Sequence, residues 1–590
     1  MKHPSYGSHK KDLHRLMAVA LGEEKADLVI SNARLLNVYT GELLDDHTIS
    51  VKDGWIASVG REATHTIGPD TEVIDAAQKT VIPGLIDGHT HLAWLFSIEE
   101  FLKFAIPGGT TTFITETIEP YPVAGYDGVL DFLASLERQP VKIYATAPFM
   151  ASISHRARGI PLEELKDLLR REDILGIGES YWQTVLQEPD RMLPALEETL
   201  RRGKTLEGHS AGAGGKKLMA YIAAGISSCH EPIQTEEVLE RLRLGIYVMV
   251  REGSIRRDLE AISEIKNSGV DLRRLVLVTD GVSPQDLTEK GCMEYVVQKA
   301  INCGFDPVAA IQMATLNVAE HFSLDGLLGG IAPGRSADML IIPDIRTIRA
   351  EYVISSGRII ARNGRALVNP RRHQHAPAST ATIQLPKTID PTDFTISAPD
   401  GSKTSRLRVI EMITDLVTGE HHMDLPVSKG EIALDVQEDI LKLAAIDRAQ
   451  IPGKTCVGLI KGFSLKSGAF ACSAAWDTSD IIVVGADEND MAMAVNRIHK
   501  LQGGAVVCDK GAVLAELALP VFGLVSKEPM DTIICNIESI KDAVTGLGCN
   551  FPDPMLTLVT LTGAAIPYLR ICEEGLVNLK DGKTVGLFVE

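Results

Sequence analysis

Basic residues are in short supply: 59 Lys and Arg face 78 Asp and Glu, a formal charge of −19. A chain this acidic has no general pull toward phosphate backbones or anionic lipid, so nucleic acid and membrane surfaces are set aside as partners. Any CxxC pair is missing as well. The nine cysteines stand singly at 229, 292, 303, 456, 472, 508, 535, 549 and 572. That odd, scattered set excludes a disulfide framework or zinc ribbon and fits a reducing cytosol. No apolar run approaches the ~18 residues that cross a bilayer, and the basic, polar stretch 1–24 lacks a signal-peptide core. A cytoplasmic protein is expected. There is no internal repeat at a period of about 20–50 residues and no coiled-coil heptad. Lys461-Gly462-Phe463-Ser464-Leu465-Lys466 lacks the spacing of a phosphate loop. The HxE…PCxxC signature of nucleic-acid deaminases is also missing.

What remains is an ordinary globular composition, 45% hydrophobic and 23% charged over 590 residues, long enough for two to four domains. Leu13, Leu16, Met17 and Leu21 mark one face of a short lead helix within 1–25. Alternating runs at 26–36, 47–52 and 55–59, with Thr40-Gly41 and Asp53-Gly54 as turns, read as antiparallel strands. The same texture returns at 337–342, 351–355 and 358–362, so segments 26–80 and 331–369 are expected to form one split β-sandwich domain around an insertion. Between them, runs at 81–86, 110–114, 141–145, 174–177, 204–206, 225–228, 246–250 and 275–278 alternate with helical stretches. Eight β-then-α units over 81–330 are the rhythm of an α/β (β/α)8 TIM-type barrel, whose functional groups gather at the C-terminal strand ends. The Pro-, Thr-, Ser- and His-rich stretch 370–397 reads as a linker, and 398–590 as a further α+β domain.

Strand ends carry the chemistry. His89 and His91 are two apart on an extended segment, so both imidazoles face one side. Glu179, His209, His230 and Asp280 end the fourth, fifth, sixth and eighth runs. Each alone is compatible with a core or capping role. Together, four imidazoles and two carboxylates are enough for two divalent ions of Mn, Fe or Zn type with positions left for water. Such ions lower the pKa of water from about 15.7 toward ~7, and a nearby carboxylate can pass its proton to a leaving nitrogen. Asp280 is the candidate for that relay and Glu179 for a carboxylate spanning both ions. Glu231 is a candidate orienter of ligands, proton shuttle or plain surface group; Glu119 fits the same roles and is placed in the pocket. Arg251 and Ser254 end the seventh run within reach of a substrate, and Trp476, beside Asp477, is placed to stack on one.

These features resemble the amidohydrolase superfamily: Pro83-Gly84-Leu85-Ile86-Asp87-Gly88-His89-Thr90-His91 opens the barrel and Pro333-Gly334-Arg335-Ser336-Ala337-Asp338 closes it. Within it, the chain is similar to bacterial adenine deaminases over nearly its whole length. The likeness includes C-terminal stretches 461–469, 485–495 and 523–526, a domain that most amidohydrolases lack. The resemblance implies a two-metal centre, commonly iron or manganese, on His89, His91, Glu179, His209, His230 and Asp280. It also implies hydrolysis of adenine to hypoxanthine and ammonia, and a homo-oligomer with a small purine substrate.

Four positions depart from the family pattern. Glu116-Thr117-Ile118-Glu119 stands for Asp-Pro-His-Glu, Gly281 for a second Asp, Cys292 for a His, and Trp476-Asp477-Thr478-Ser479-Asp480 for His-Asp-Ser-His-Asn. They leave two alternatives: the same chemistry on another 6-substituted purine or amino-heterocycle, and an inactive paralogue acting as a binding protein.

Overall fold

The computed structural model describes residues 11–149, 152–154, 159–399 and 401–589. Eight parallel strands curl around a common interior: β1 (Leu85–Thr90), β2 (Thr110–Thr115), β3 (Lys142–Ala147), β4 (Ile174–Tyr181), β5 (Thr205–His209), β6 (Ser228–Cys229), β7 (Tyr247–Arg251) and β8 (Leu275–Val278). Hydrogen bonds link β1–β5 in one arc and β6–β8 in another. The Ser227 N–H closes the first gap on the Leu206 carbonyl at 2.9 Å, and the Asp280 N–H closes the second on the His89 carbonyl at 3.1 Å. Thr279 reinforces that second seam by donating its hydroxyl to Asp87 at 2.6 Å. The Thr-, Val- and Ile-rich strands are buried on both faces, as parallel strands flanked by helices must be. The result is an α/β barrel-like fold.

The expected first run, 81–86, is in fact two strands. Thr80–Pro83 pairs antiparallel with Met339–Ile342 and parallel with Leu28–Asn37, while β1 starts at Leu85. The break falls where the chain changes partner: the Gly84 N–H donates to the Asp338 carbonyl at 2.9 Å and the Leu85 N–H to the Gly109 carbonyl at 3.1 Å, and glycine fits there because a Cβ would lie 2.1 Å from the Thr111 hydroxyl oxygen. Both flanks of the barrel therefore enter one continuous nine-stranded sheet, with Thr80–Pro83 at the join, and share one core.

The lead helix, Leu13–Leu21, is capped by Asp12 accepting from the His14 N–H at 3.0 Å. Its buried residues are Leu16 and Val19. Leu13, Met17 and Leu21 are exposed, against expectation, because so short a helix rests on the sheet by a single i, i+3 ridge.

Segment 370–397 is also not a free linker. Ile383, Leu385, Ile389 and Phe394 are buried in a core with Met491, Val495 and Ile498 of the helix Glu488–Leu501. Asn496 clamps Ile389 through paired backbone hydrogen bonds of 2.9 and 2.8 Å. The C-terminal region is a second nine-stranded sheet carrying helices Glu488–Leu501 and Met530–Gly546, plus a three-stranded sheet near the end. It docks on the barrel mouth: the Leu95 N–H donates to the Leu524 carbonyl at 2.8 Å, and the Ser526 N–H to the Leu95 carbonyl at 3.0 Å.

Candidate metal centre

β1 delivers His89 and His91 to the mouth, and β4, β5 and the loops after β6 and β8 deliver Glu179, His209, His230 and Asp280. These six form two donor sets. His89, His91, Glu179 and Asp280 offer atoms within 4.8 Å of one another, and so do Glu179, His209 and His230. Glu179 belongs to both. Its Oε1 lies 3.5 Å from Nε2 of His89, 3.5 Å from Nε2 of His91 and 3.3 Å from Nε2 of His230. Asp280 Oδ1 stands 3.2 and 3.4 Å from the same atoms of His89 and His91. Donors sharing one ion with bonds of about 2.0–2.2 Å stand roughly 3.0–3.5 Å apart, so the spacing suits a divalent cation. Among the described residues the buried Nε2 of His89 has no hydrogen-bond partner, which suits a ligand atom.

The electrostatics agree with the geometry. Burial favours the neutral acid at Glu179 and Asp280, yet the surrounding imidazoles hold both carboxyls well below the ordinary range. Burial also opposes charge on His89, but Asp280 and Glu179 raise it to about 10. The cluster of acids thus recruits positive charge in the form of protons, and a dication would take their place. His209 is pushed down, chiefly by burial, into the neutral form that ligates metals. Asp280 also adopts a left-handed backbone (φ 57°), a conformation that costs energy and recurs at functional sites.

Two further carboxylates contact the imidazoles, Glu119 from behind and Glu231 on the side that faces the centre. Glu119 bonds to Nδ1 of His91, leaving Nε2 to face the centre. Glu231 lies 3.2 Å from Nε2 of His209, 3.1 Å from Nε2 of His230 and 3.1 Å from the Arg251 guanidinium. Arg251 lines the cavity, but it is engaged with Asp258 at 3.0 Å and Asp280 at 3.4 Å, so it braces acids rather than standing free. Ser254 is placed elsewhere: its hydroxyl donates to Asp286 at 2.6 Å, and the residue is not part of the cavity wall. Trp476 and Asp477 do line the cavity, which has a volume of about 370 Å³. Asp477 accepts from the Ala564 N–H at 2.7 Å, and burial pushes its carboxyl up to about 7.

Three participants escaped the sequence reading. Trp94 lines the cavity and meets Trp476 edge-on, ring centroids 6.0 Å apart. Tyr181 reaches Glu179 with its hydroxyl at 3.4 Å. Glu116 lies buried 3.6 Å from Nδ1 of His89. Glu116 and Trp94 were signalled by position, one at the end of β2 and the other three residues past His91. Cys292 stands buried at the start of a helix, outside the cavity wall, and Gly281 has φ 100°, a left-handed value that favours glycine over the family's Asp.

Two family descriptions match the chain: "Amidohydrolase family" over residues 80–360 and "Adenine deaminase C-terminal domain" over 415–583. An adenine deaminase of Clostridium botulinum (strain Langeland) is 34% identical over 98% of this chain and 97% of its own. One from Moorella thermoacetica is 36% identical over 97% of each chain. Among solved structures, an enamidase described as a member of the amidohydrolase superfamily aligns with 59% of this chain and 98% of its own, at 21% identity and TM-score 0.45. With 34% identity sustained from the barrel through the C-terminal domain, the chain belongs to the adenine deaminase family.

Proposed function

We propose that this chain hydrolyses adenine to hypoxanthine and ammonia, with two divalent ions of the manganese or iron class, zinc being the further option the ligands allow. His89, His91 and Asp280 would hold one ion, His209 and His230 the other, with Glu179 between them. When bound, such ions lower the pKa of a water from about 15.7 toward ~7 and so supply a nucleophile at neutral pH. The scaffold in this reading is a (β/α)8 barrel with a split β-domain and an appended α+β domain. It works in the cytoplasm as a homo-oligomer on a small purine, without nucleic acid or membrane.

The remaining steps belong to side chains. Asp280 faces the donors of His89 and His91 and is braced by Arg251, a position from which it can take a proton from the attacking water. Attack at C6 makes that carbon tetrahedral, and the proton moves on to the amino nitrogen, which leaves as ammonia. Glu119 keeps His91 in its ligating tautomer and offers a second carboxylate on the substrate side. Trp94 and Trp476 present apolar surface to a flat heterocycle, while Asp477 presents a carboxyl to its polar edge. The C-terminal domain, which supplies Trp476, Asp477, Leu416 and Ile566, excludes water from above.

The observation that carries this reading is the membership of Glu179 in both donor sets, within a chain whose full-length relatives are adenine deaminases. The relatives favour adenine over other 6-substituted purines, and the intact donor sets speak against an inactive binding protein. The test is ammonia release by manganese-loaded protein across a panel of aminopurines, with His89→Ala as control. Adenine should be the leading substrate. A metal-replete preparation that turns over other purines but not adenine overturns the assignment.

A further inference from the structure

A second group of metal-capable donors lies on the outside of the barrel. Asp131 belongs to the helix Pro120–Leu136, and His373 and His375 to the strap that leaves the first nine-stranded sheet for the C-terminal domain. Nε2 of His373 is 2.9 Å from Asp131 Oδ1, and Nδ1 of His375 is 2.9 Å from Oδ2. One donor atom from each of the three lies within 4.8 Å of the others. The two imidazoles stand edge to face, centroids 4.7 Å apart. The Ala376 N–H donates to Asp131 Oδ2 at 3.2 Å and fixes the carboxylate.

We infer that Asp131, His373 and His375 form a second metal site, distinct from the centre at the barrel mouth, that takes a zinc-class divalent cation with water completing its shell. Two imidazole nitrogens and one carboxylate oxygen are the mixed donor set that zinc accepts in tetrahedral geometry. Donors on such an ion stand about 3.3 Å apart, so the 2.9 Å contacts need to open by only a few tenths of an ångström. His373 and His375 are two apart on irregular, strand-free chain, and both reach the one carboxylate of Asp131. The site is reachable: the side chains of His373, His375 and Asp131 are 17, 12 and 11% exposed, and both histidines line an open cleft. Of the cations along the cleft, Lys103 pairs with Glu100 and Arg372 with Glu99 at 3.8 Å, Lys527 acts on His375 from the same side, and the Asp131 carboxylate takes a further hydrogen bond from Ser379 beside those of the two imidazoles and Ala376.

The ion would work as a clasp. The helix bearing Asp131 begins directly after Glu119, which holds His91. The strap continues to Ser379, whose carbonyl accepts from the Phe522 N–H of the C-terminal domain at 2.7 Å. An ion at this point ties barrel helix, strap and C-terminal domain at one junction, outside the wall of the barrel-mouth cavity.

The experiment compares tag-free, full-length wild type with Asp131→Asn and with His373→Ala/His375→Ala. Each is loaded with Zn2+, dialysed against metal-free buffer and analysed for zinc per chain and for melting temperature. Wild type should retain one equivalent more than either variant and gain more in melting temperature from zinc, while the variants keep deaminase activity. Equal zinc counts in all three proteins overturn the site and leave a clasp made of hydrogen bonds alone. Anomalous diffraction at the zinc edge from wild-type crystals decides the matter without any substitution. A peak between the three side chains supports the inference, and its absence at full occupancy of the barrel-mouth centre refutes it.

Discussion

Tyr181, at the end of the fourth barrel strand, donates its hydroxyl to Oδ2 of Asp477 in the C-terminal domain across 3.4 Å. The same hydroxyl lies 3.4 Å from Oε2 of Glu179, so the appended domain is one residue removed from the metal-capable carboxylate. The C-terminal domain is therefore a wall of the cavity, to which it contributes Trp476 and Asp477.

That role separates two kinetic constants. Asp477→Ala removes a polar contact with the substrate while leaving both donor sets intact, so KM for adenine should rise about tenfold with kcat within a few-fold of wild type. Steady-state kinetics on metal-replete protein check this. An unchanged KM with a collapsed kcat would place Asp477 in the chemistry instead.

Glu119→Gln tests the support of His91. The amide keeps the shape but is a weaker acceptor for Nδ1–H, so His91 loses basicity and orientation. Activity should fall by roughly 10–100-fold with metal content lowered or unchanged. Wild-type turnover in this variant would reduce Glu119 to a bystander.

How much of this was legible without coordinates varies by residue, for physical reasons. His89, His91, Glu179, His209, His230 and Asp280 were readable because barrel strand ends converge on one mouth, so local position alone predicts convergence. Tyr181 was not, since its role comes from a contact between domains, while Glu116 and Trp94 had only their positions to signal them and owe their contacts to other parts of the chain. The division of 81–86 turns on a change of partner from the strand Met339–Ile342 to β2, a tertiary fact with no local pattern. Segment 370–397 has the composition of a loop, yet Ile383 and Phe394 find their core in a helix about a hundred residues onward. Ser254 shows the opposite error, a plausible strand-end position spent on a hydrogen bond to Asp286.

Glu294 is enclosed against the backbone of Gly108 and Gly291, and one of its carboxylate oxygens has no hydrogen-bond partner among the described residues. Burial raises its pKa from 4.5 to about 7. Between those values the unfolded chain ionises while the folded one keeps the proton, so stability falls as pH rises and the penalty is constant above pH 7. Glu294→Gln removes it. The variant should be more stable than wild type by about 1–2 kcal/mol at pH ~8, with little difference near pH ~5. Melting curves at both pH values check this, and an equal shift at the two would show that ionisation is not the cause.

The shared carboxylate is where the whole account is most exposed. The direct measurement is manganese bound per chain together with ammonia released from adenine, in wild type and Glu179→Ala. Wild type should hold about two ions at the barrel mouth and turn adenine over. The variant should lose metal and at least a hundredfold in rate, because neither donor set is complete without that residue. A Glu179→Ala protein with full metal content and undiminished adenine turnover would contradict the account.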